Sequence, residues 1–200
     1  MRETSPERLA AAFAEAAGRR DWQSALRVVA ELETALPGNA GIAYNKALVL
    51  RELGRTEERI ASLERALRLE PAHANARFEL ASALMDTGNF AKAAGLFAAY
   101  LETVPDDADA LLNLGNCLLC LGRSAEALPH LRLAHAAAPT DKTVAGLATA
   151  LRDCGDLDAC ERLLAELPPT PETAVARLKI LTQGTRGRFG LAVDQARLAR

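Results

Sequence analysis

The sequence predicts an all-α chain folded as a solenoid of antiparallel helix pairs, and three observations carry that reading. Proline recurs every 34 residues, at Pro37, Pro71, Pro105 and Pro139. Glycine keeps nearly the same beat at Gly54, Gly88, Gly122 and Gly155. Half of the residues are hydrophobic but only 4% are aromatic, so the core is made of Ala and Leu, which suits close-packed helices better than sheets. A fixed period of this length marks a stack of helical hairpins, each burying its apolar face on the next. Residues 1–200 are therefore expected to form a single array.

The elements follow in order. The first unit, 6–39, has Arg20 at its turn in place of glycine, with Gly18 two residues earlier. In the second, 40–73, Leu48, Leu50 and Leu53 precede Gly54, while Ile60, Leu63, Ala66 and Leu67 follow it at the three- and four-residue steps of one apolar stripe. Two helices of roughly a dozen residues are implied, meeting at a glycine that takes the left-handed turn ending the first helix. The proline lies just past the second helix, which it cannot continue. The third and fourth units span 74–107 and 108–140. The fifth, 141–169, is one residue short, so Gly155 follows Gly122 by 33. The tail reads as a degenerate sixth unit or a pair of capping helices over 171–199, one at 171–183 and one at 187–199, around Gly184 and Gly187. Its last stretch carries Phe189, Leu191, Ala192, Val193, Ala196 and Leu198. Repeat arrays normally finish with a polar cap. This ending is not clearly polar, so either the last helix packs flat on its predecessor or the chain is one piece of a larger assembly.

With the units laid out, the chain resembles the tetratricopeptide repeat family. That family places a small residue in the middle of the first helix, here Ala47, Ala81, Gly115 and Ala148. A small residue in the second helix faces it, here Ala25, Ala93, Ala127 and Cys160. A bulky residue after the turn matches at Trp22, Phe90 and Leu157. Large residues in the second helix match at Val29, Leu63, Phe97, Leu131 and Leu164. Residues before the proline match at Ala66 and Ala134, with Leu32, Tyr100 and Leu167 as bulkier versions. Arg59 departs from the pattern where the family prefers Ala; its stem either snorkels out between helices or loosens the packing.

The resemblance implies a right-handed superhelix whose concave wall is lined by first helices. The side chains expected there are Tyr44, Asn45, Leu48 and Arg51; then Asn75, Phe78, Glu79, Ser82 and Met85. The fourth unit adds Asp109, Leu112, Asn113, Asn116 and Leu119, and the fifth Lys142, Thr149 and Arg152. Amides can bond a peptide backbone as donor and acceptor, while Phe78, Met85 and Leu112 can hold its side chains. The expected function is a protein-binding scaffold that takes a peptide or protein segment in this groove. Two other roles implied by the resemblance are an auxiliary, substrate-selecting region of a bacterial sulfotransferase- or glycosyltransferase-like enzyme, and a secretion chaperone. Some family members clamp the acidic tail of heat-shock chaperones with Lys, Asn and Arg from three units. Here the windows place Ala10, Ala14, Asn45, Asn75 and Glu79; Tyr44, Leu48, Glu79, Asp109 and Asn113; or Phe78, Ser82, Asn113, Lys142 and Gly146. None carries the clamp.

Charge and motif content set the remaining expectations. A net charge of −2 supplies no general attraction for nucleic acid. No apolar run reaches the roughly 20 residues of a membrane span, and the N-terminus lacks the apolar core of a secretory signal. A cytoplasmic location is expected, and the Ala, Arg and Leu bias suggests a bacterial, GC-rich source. From Arg177 to Arg200 six basic residues stand against Asp194 alone, a pattern that fits a solvated helix face or a surface that docks an acidic partner or a neighbouring domain. Cys117 and Cys160 fall on packing positions and are expected as buried free thiols. Cys120 and Cys154, in equivalent helices, are the one candidate pair for a metal or for oxidation. His73, His130 and His135 form no HExxH-type pair. Neither a phosphate-binding GxxxxGK[ST] loop nor a GxSxG elbow occurs. The chain is read as not an enzyme, with no cofactor or metal.

Overall fold

The computed structural model describes residues 5–184 and 187–188. It is an all-α helical repeat. The hairpins run α1 (Pro6–Gly18) with α2 (Trp22–Ala35), α3 (Ala40–Glu52) with α4 (Thr56–Leu69), α5 (Ala74–Asp86) with α6 (Phe90–Leu101), α7 (Ala108–Cys120) with α8 (Ser124–Ala137), and α9 (Asp141–Asp153) with α10 (Leu157–Leu164). An eleventh helix, α11, covers Pro171–Thr182. The residues group into two compact units, Met1–Thr103 and Val104–Arg200, each described by itself below.

Local chemistry sets the helix ends. Asp21, Asn39, Asp107 and Asp156 each accept a hydrogen bond from the backbone N–H three residues on, satisfying one of the amides left open at a helix start. Each expected turn residue sits in the left-handed region: Gly54 at φ 68°, Gly88 at 77°, Gly122 at 71° and Gly155 at 87°. Arg20 follows them at 56°, a conformation that opposes any side chain. The hairpin thus turns the same way with or without glycine.

The small and the large repeat positions are buried. Ala25, Ala47, Ala81, Ala93, Ala127, Ala148 and Cys160 are all fully buried. So are Leu63, Phe97 and Leu131, with Val29 and Leu164 nearly so. Gly115 shows how the positions meet: a Cβ there would lie 2.4 Å from Leu131 Cγ. In this hairpin the first-helix small residue is therefore opposed by the large residue of the second helix. Leu131 also reaches α9, where a Cβ on Gly146 would meet its Cδ2 at 3.1 Å. One leucine thus fills the space between three helices.

Three expectations need correction. Leu157 is more open than Trp22 and Phe90, which are half-buried; it is 54% exposed at the first position of α10. Arg59 neither snorkels to solvent nor loosens the hairpin; it is buried within an ion-pair network described below. The tail helix does not begin at residue 187, since Gln183–Gly184 pairs antiparallel with Gly187–Arg188. The remainder of that expected helix, 189–199, lies outside the described residues.

Gly115 and Gly95 are both helical but differ in surroundings, since a Cβ on Gly95 would meet nothing within 4 Å. Gly115→Ala is expected to lose about 1–3 kcal/mol by driving Cβ into Leu131. Gly95→Ala should gain about 0.5–1 kcal/mol by stiffening α6. Thermal or urea melts of the two variants check this pair of opposite signs.

Candidate functional site

In the first compact unit the expected wall residues lie on α3 and α5, and most are already engaged. Tyr44 is half-buried and its ring lies 4.9 Å from that of His73. Burial pushes its hydroxyl pKa up, and the nearby Glu79 carboxylate adds to the effect. Arg51 spans two carboxylates, reaching Glu79 at 2.8 Å and Glu52 at 3.2 Å. Phe78 stands edge-on to Phe97 and Tyr100, with centroids 5.5 and 5.3 Å away. It is therefore packing as well as surface. Ser82 donates its hydroxyl back to the Phe78 carbonyl at 3.1 Å, and Met85 is half-buried. Asn45 and Leu48 are half-buried and Asn75 is exposed.

Glu79 is the node of this surface. Its second oxygen takes Arg59 at 2.7 Å, and Arg59 also reaches the Glu79 carbonyl at 3.2 Å and Asp86 at 3.4 Å. Arg59 is only 6% exposed, and its Nε has no hydrogen-bond partner among the described residues. One carboxylate on α5 thus ties α3 and α4 together. The sequence pattern marked Arg59 as out of place but did not indicate which carboxylate would meet it.

In the second unit α7 and α9 supply the surface. Leu112 is buried rather than offered as an anchor, and its Cδ1 lies 3.4 Å from the place a Cβ on Gly146 would take. Asn113 and Asn116 are half-buried, and neither makes a side-chain hydrogen bond among the described residues. Asn116 leans over α9, its Oδ1 lying 3.1 Å from the same Gly146 position. A recess of about 420 Å³ is lined by Ala108, Asp109, Leu112, Ala138, Thr140, Asp141, Lys142 and Thr143. Its lining combines apolar residues with charges of both signs.

Two expected wall residues of this unit are otherwise occupied. Thr149 donates to the Ala145 carbonyl at 2.8 Å, as a hydroxyl inside a helix commonly does. Arg152 is 6% exposed and is not a groove residue. It pairs with Asp153 at 2.6 Å and donates to the backbone carbonyl of Ile180, fastening α11 to α9. Thr140 and Thr143, which line the recess, went unnoticed in the sequence; the T-x-x-T spacing at a helix start was the available signal, and the structure shows a reciprocal capping box there.

The thiols divide by depth. Cys117 and Cys160 are buried, and burial pushes the Cys117 thiol up to about 11 and raises that of Cys160. Cys120 and Cys154 are exposed and free. Among the described residues no three His, Cys, Asp or Glu side chains cluster in a way that can hold a metal. No described helix is long and apolar enough to cross a membrane.

The tetratricopeptide repeat family matches the chain over residues 11–71, 44–106 and 78–142. No curated protein matches it in sequence. Among solved structures, a tetratricopeptide repeat protein of Parabacteroides merdae aligns with a TM-score of 0.78 at 19% identity, covering 88% of this chain and 72% of that one. MamA of Desulfovibrio magneticus, residues 41 to its end, gives 0.76 at 16% identity over 87% and 96% of the two chains. YrrB, described as a TPR protein with an unusual peptide-binding site, gives 0.76 at 16% identity over 84% and 88%. At these identities the likeness is one of fold.

The Glu79 node and the thiols each yield an expected outcome. Glu79→Ala strands the buried Arg59 cation and should cost about 3 kcal/mol in a urea melt. Arg59→Ala, which installs the residue that Ala25, Ala93 and Ala127 supply elsewhere, should cost less; the reverse order would show that the network does not bear on stability. A neutral alkylating reagent at pH 8 should label Cys120 and Cys154 in the folded chain while Cys117 and Cys160 wait for unfolding, as peptide mass mapping would read.

Proposed function

We propose, because this chain belongs to the tetratricopeptide repeat family, that it is a protein-interaction scaffold whose second compact unit takes an extended peptide segment on the α7–α9 face. The observation that carries the reading is the pair Asn113 and Asn116. They lie three residues apart on α7, so both point to the same side of the helix. Both are half-buried, yet their amides have no intramolecular partner among the described residues. A polar group in that state favours a ligand that supplies the missing bonds, since an unmet donor or acceptor is costly once water is excluded. An amide carries both a donor and an acceptor, which is what a peptide backbone presents in return.

The recess completes the reading. Lined by Ala108, Leu112 and Ala138 together with Lys142, it suits one apolar side chain of the bound segment and a carboxylate or carbonyl for the lysine. The peptide-binding site attributed to YrrB supports a ligand of this kind on a shared fold. The family generally serves as non-enzymatic scaffolds, and the described residues offer no arrangement that suggests catalysis. In the first unit, taken by itself, Asn45 and Leu48 are half-buried and Asn75 is exposed. Arg51, Phe78 and Glu79 are committed to one another or to the core, which makes them poor choices for a binding test.

Partners recovered by affinity purification from the native cell provide the ligand for the experiment. Asn113→Ala with Asn116→Ala should weaken the recovered partner's binding by about tenfold or more, given roughly 1 kcal/mol for each hydrogen bond lost. Helical content and melting should stay unchanged. Equal affinity of the double variant and the parent would remove the assignment of this face.

A further inference from the structure

The recess on the second compact unit carries charges that the fold does not use. Asp109 on α7 and Asp141 and Lys142 on α9 line it, and all three are exposed. None of their side chains makes an ion pair or a hydrogen bond among the described residues. The usual work of an acid at a helix start is capping, and here other groups do it. Asp107 accepts from the Ala110 amide at 2.9 Å. Thr140 accepts from the Thr143 amide at 3.2 Å, and its own amide donates to Thr143 Oγ1 at 2.9 Å. An acid in the first turn also gains from the helix dipole, yet α3 and α5 form without one. In those helices Ala40 and Ala74 stand at the place of Asp141, as Ala108 does in α7. Gly41 and Asn75 stand at the place of Asp109. The charges at the recess are therefore additions to the repeat and not part of its construction.

Two carboxylates against one ammonium leave this lining with an excess of negative charge. The chain around α7 adds to it, since Val104 to Gly122 contains Asp106, Asp107 and Asp109 and neither Lys nor Arg. We propose that the recess reads a basic residue in its partner: an extended segment with an apolar side chain against Ala108, Leu112 and Ala138 and, next to it, a lysine or arginine met by Asp109 and Asp141. This rests on the peptide-binding reading of the α7–α9 face and adds the chemistry of the partner.

The division of labour follows from the lining. Apolar residues stabilise the anchor by taking it out of water. Carboxylates only accept hydrogen bonds, so what they select is a donor, and a cationic donor makes the stronger bond. Arginine suits the pair best, because its fork of five donors can meet two carboxylates while its stem lies on the apolar lining. Lys142 only donates, and it is left for a carbonyl of the segment. At physiological ionic strength exposed charges act over about 8 Å. The aspartates accordingly select the residue beside the anchor and do not draw the partner from a distance.

A random heptapeptide library displayed on phage and panned on the full chain tests this. The enriched sequences should place Leu, Ile or Met beside Lys or Arg. For one such peptide, synthesised with both ends capped, Asp109→Asn with Asp141→Asn should weaken binding about fivefold. Raising salt from about 50 to about 500 mM should weaken binding to the parent but not to this variant. The same peptide with Gln for its basic residue should bind parent and variant alike. Enriched sequences without a basic residue, or basic ones indifferent to the two Asn changes, would overturn the inference and leave the face assigned. So would acidic sequences whose binding is lost in Lys142→Gln. Peptides that bind equally well after Asn113→Ala with Asn116→Ala would overturn the face and the inference together, as would a library that enriches nothing.

Discussion

Everything in this molecule depends on how closely two helices of a hairpin can approach. Ala47, Ala81, Gly115 and Ala148 bring the first helix near enough for one large residue of the second to reach across. The close approach removes both small and large side chains from water, and dispersion and hydrophobic burial then stabilise a core that contains few aromatics. Leu131 makes the constraint visible, since it occupies the volume in which a side chain at Gly115 would lie and also presses on Gly146. Because the small positions Ala47, Ala81 and Ala148 are likewise fully buried, the same side of each first helix is turned into the core. The opposite side is left for other contacts.

The two compact units use that free side differently, and the cause is a single departure from the pattern. Arg59 takes a place that Ala fills elsewhere, and a buried cation is tolerated only when carboxylates meet it. Glu79 and Asp86 do so, and Glu79 then holds Arg51 as well. Charge on this surface is consequently satisfied within the chain, as is the ring of Phe78 against Phe97 and Tyr100. In the second unit Ala127 keeps the small residue, the buried cation Arg152 pairs with Asp153 and fastens α11 to α9, and the amides of Asn113 and Asn116 make no side-chain hydrogen bond among the described residues.

Period, turn and core position were legible in the sequence because each follows from a local rule. Gly54, Gly88, Gly122 and Gly155 declare a left-handed turn, and the alanine positions declare close packing. The candidate site was legible only in part. The sequence placed Asn113, Asn116 and Lys142 on first helices; the structure leaves both amides half-buried on α7, and Lys142 lines a recess between α7, α8 and α9. It also assigned Arg51, Phe78, Leu112 and Arg152 to the wall, and these are engaged with Glu79, Phe97, Gly146 and Ile180 respectively. Helical period tells which side a residue faces. It does not tell whether a long side chain finds a partner before it reaches solvent, because arginine and phenylalanine span the distance between neighbouring helices.

That difference in reach also bears on the kind of recognition the α7–α9 face can provide. A long side chain bound internally is lost to a ligand but keeps the surface from rearranging when one arrives. Short amides on a helix whose opposite side is locked in the core offer hydrogen bonds with little freedom left to lose. The recess adds apolar area, and Lys142 adds one charge against Asp109 and Asp141 in the same lining. With the charges there of both signs and the whole chain at −2, long-range attraction contributes little. Selection on such a face rests chiefly on backbone geometry and the fit of one side chain, and both depend on the helix spacing that Gly115, Leu131 and Gly146 set.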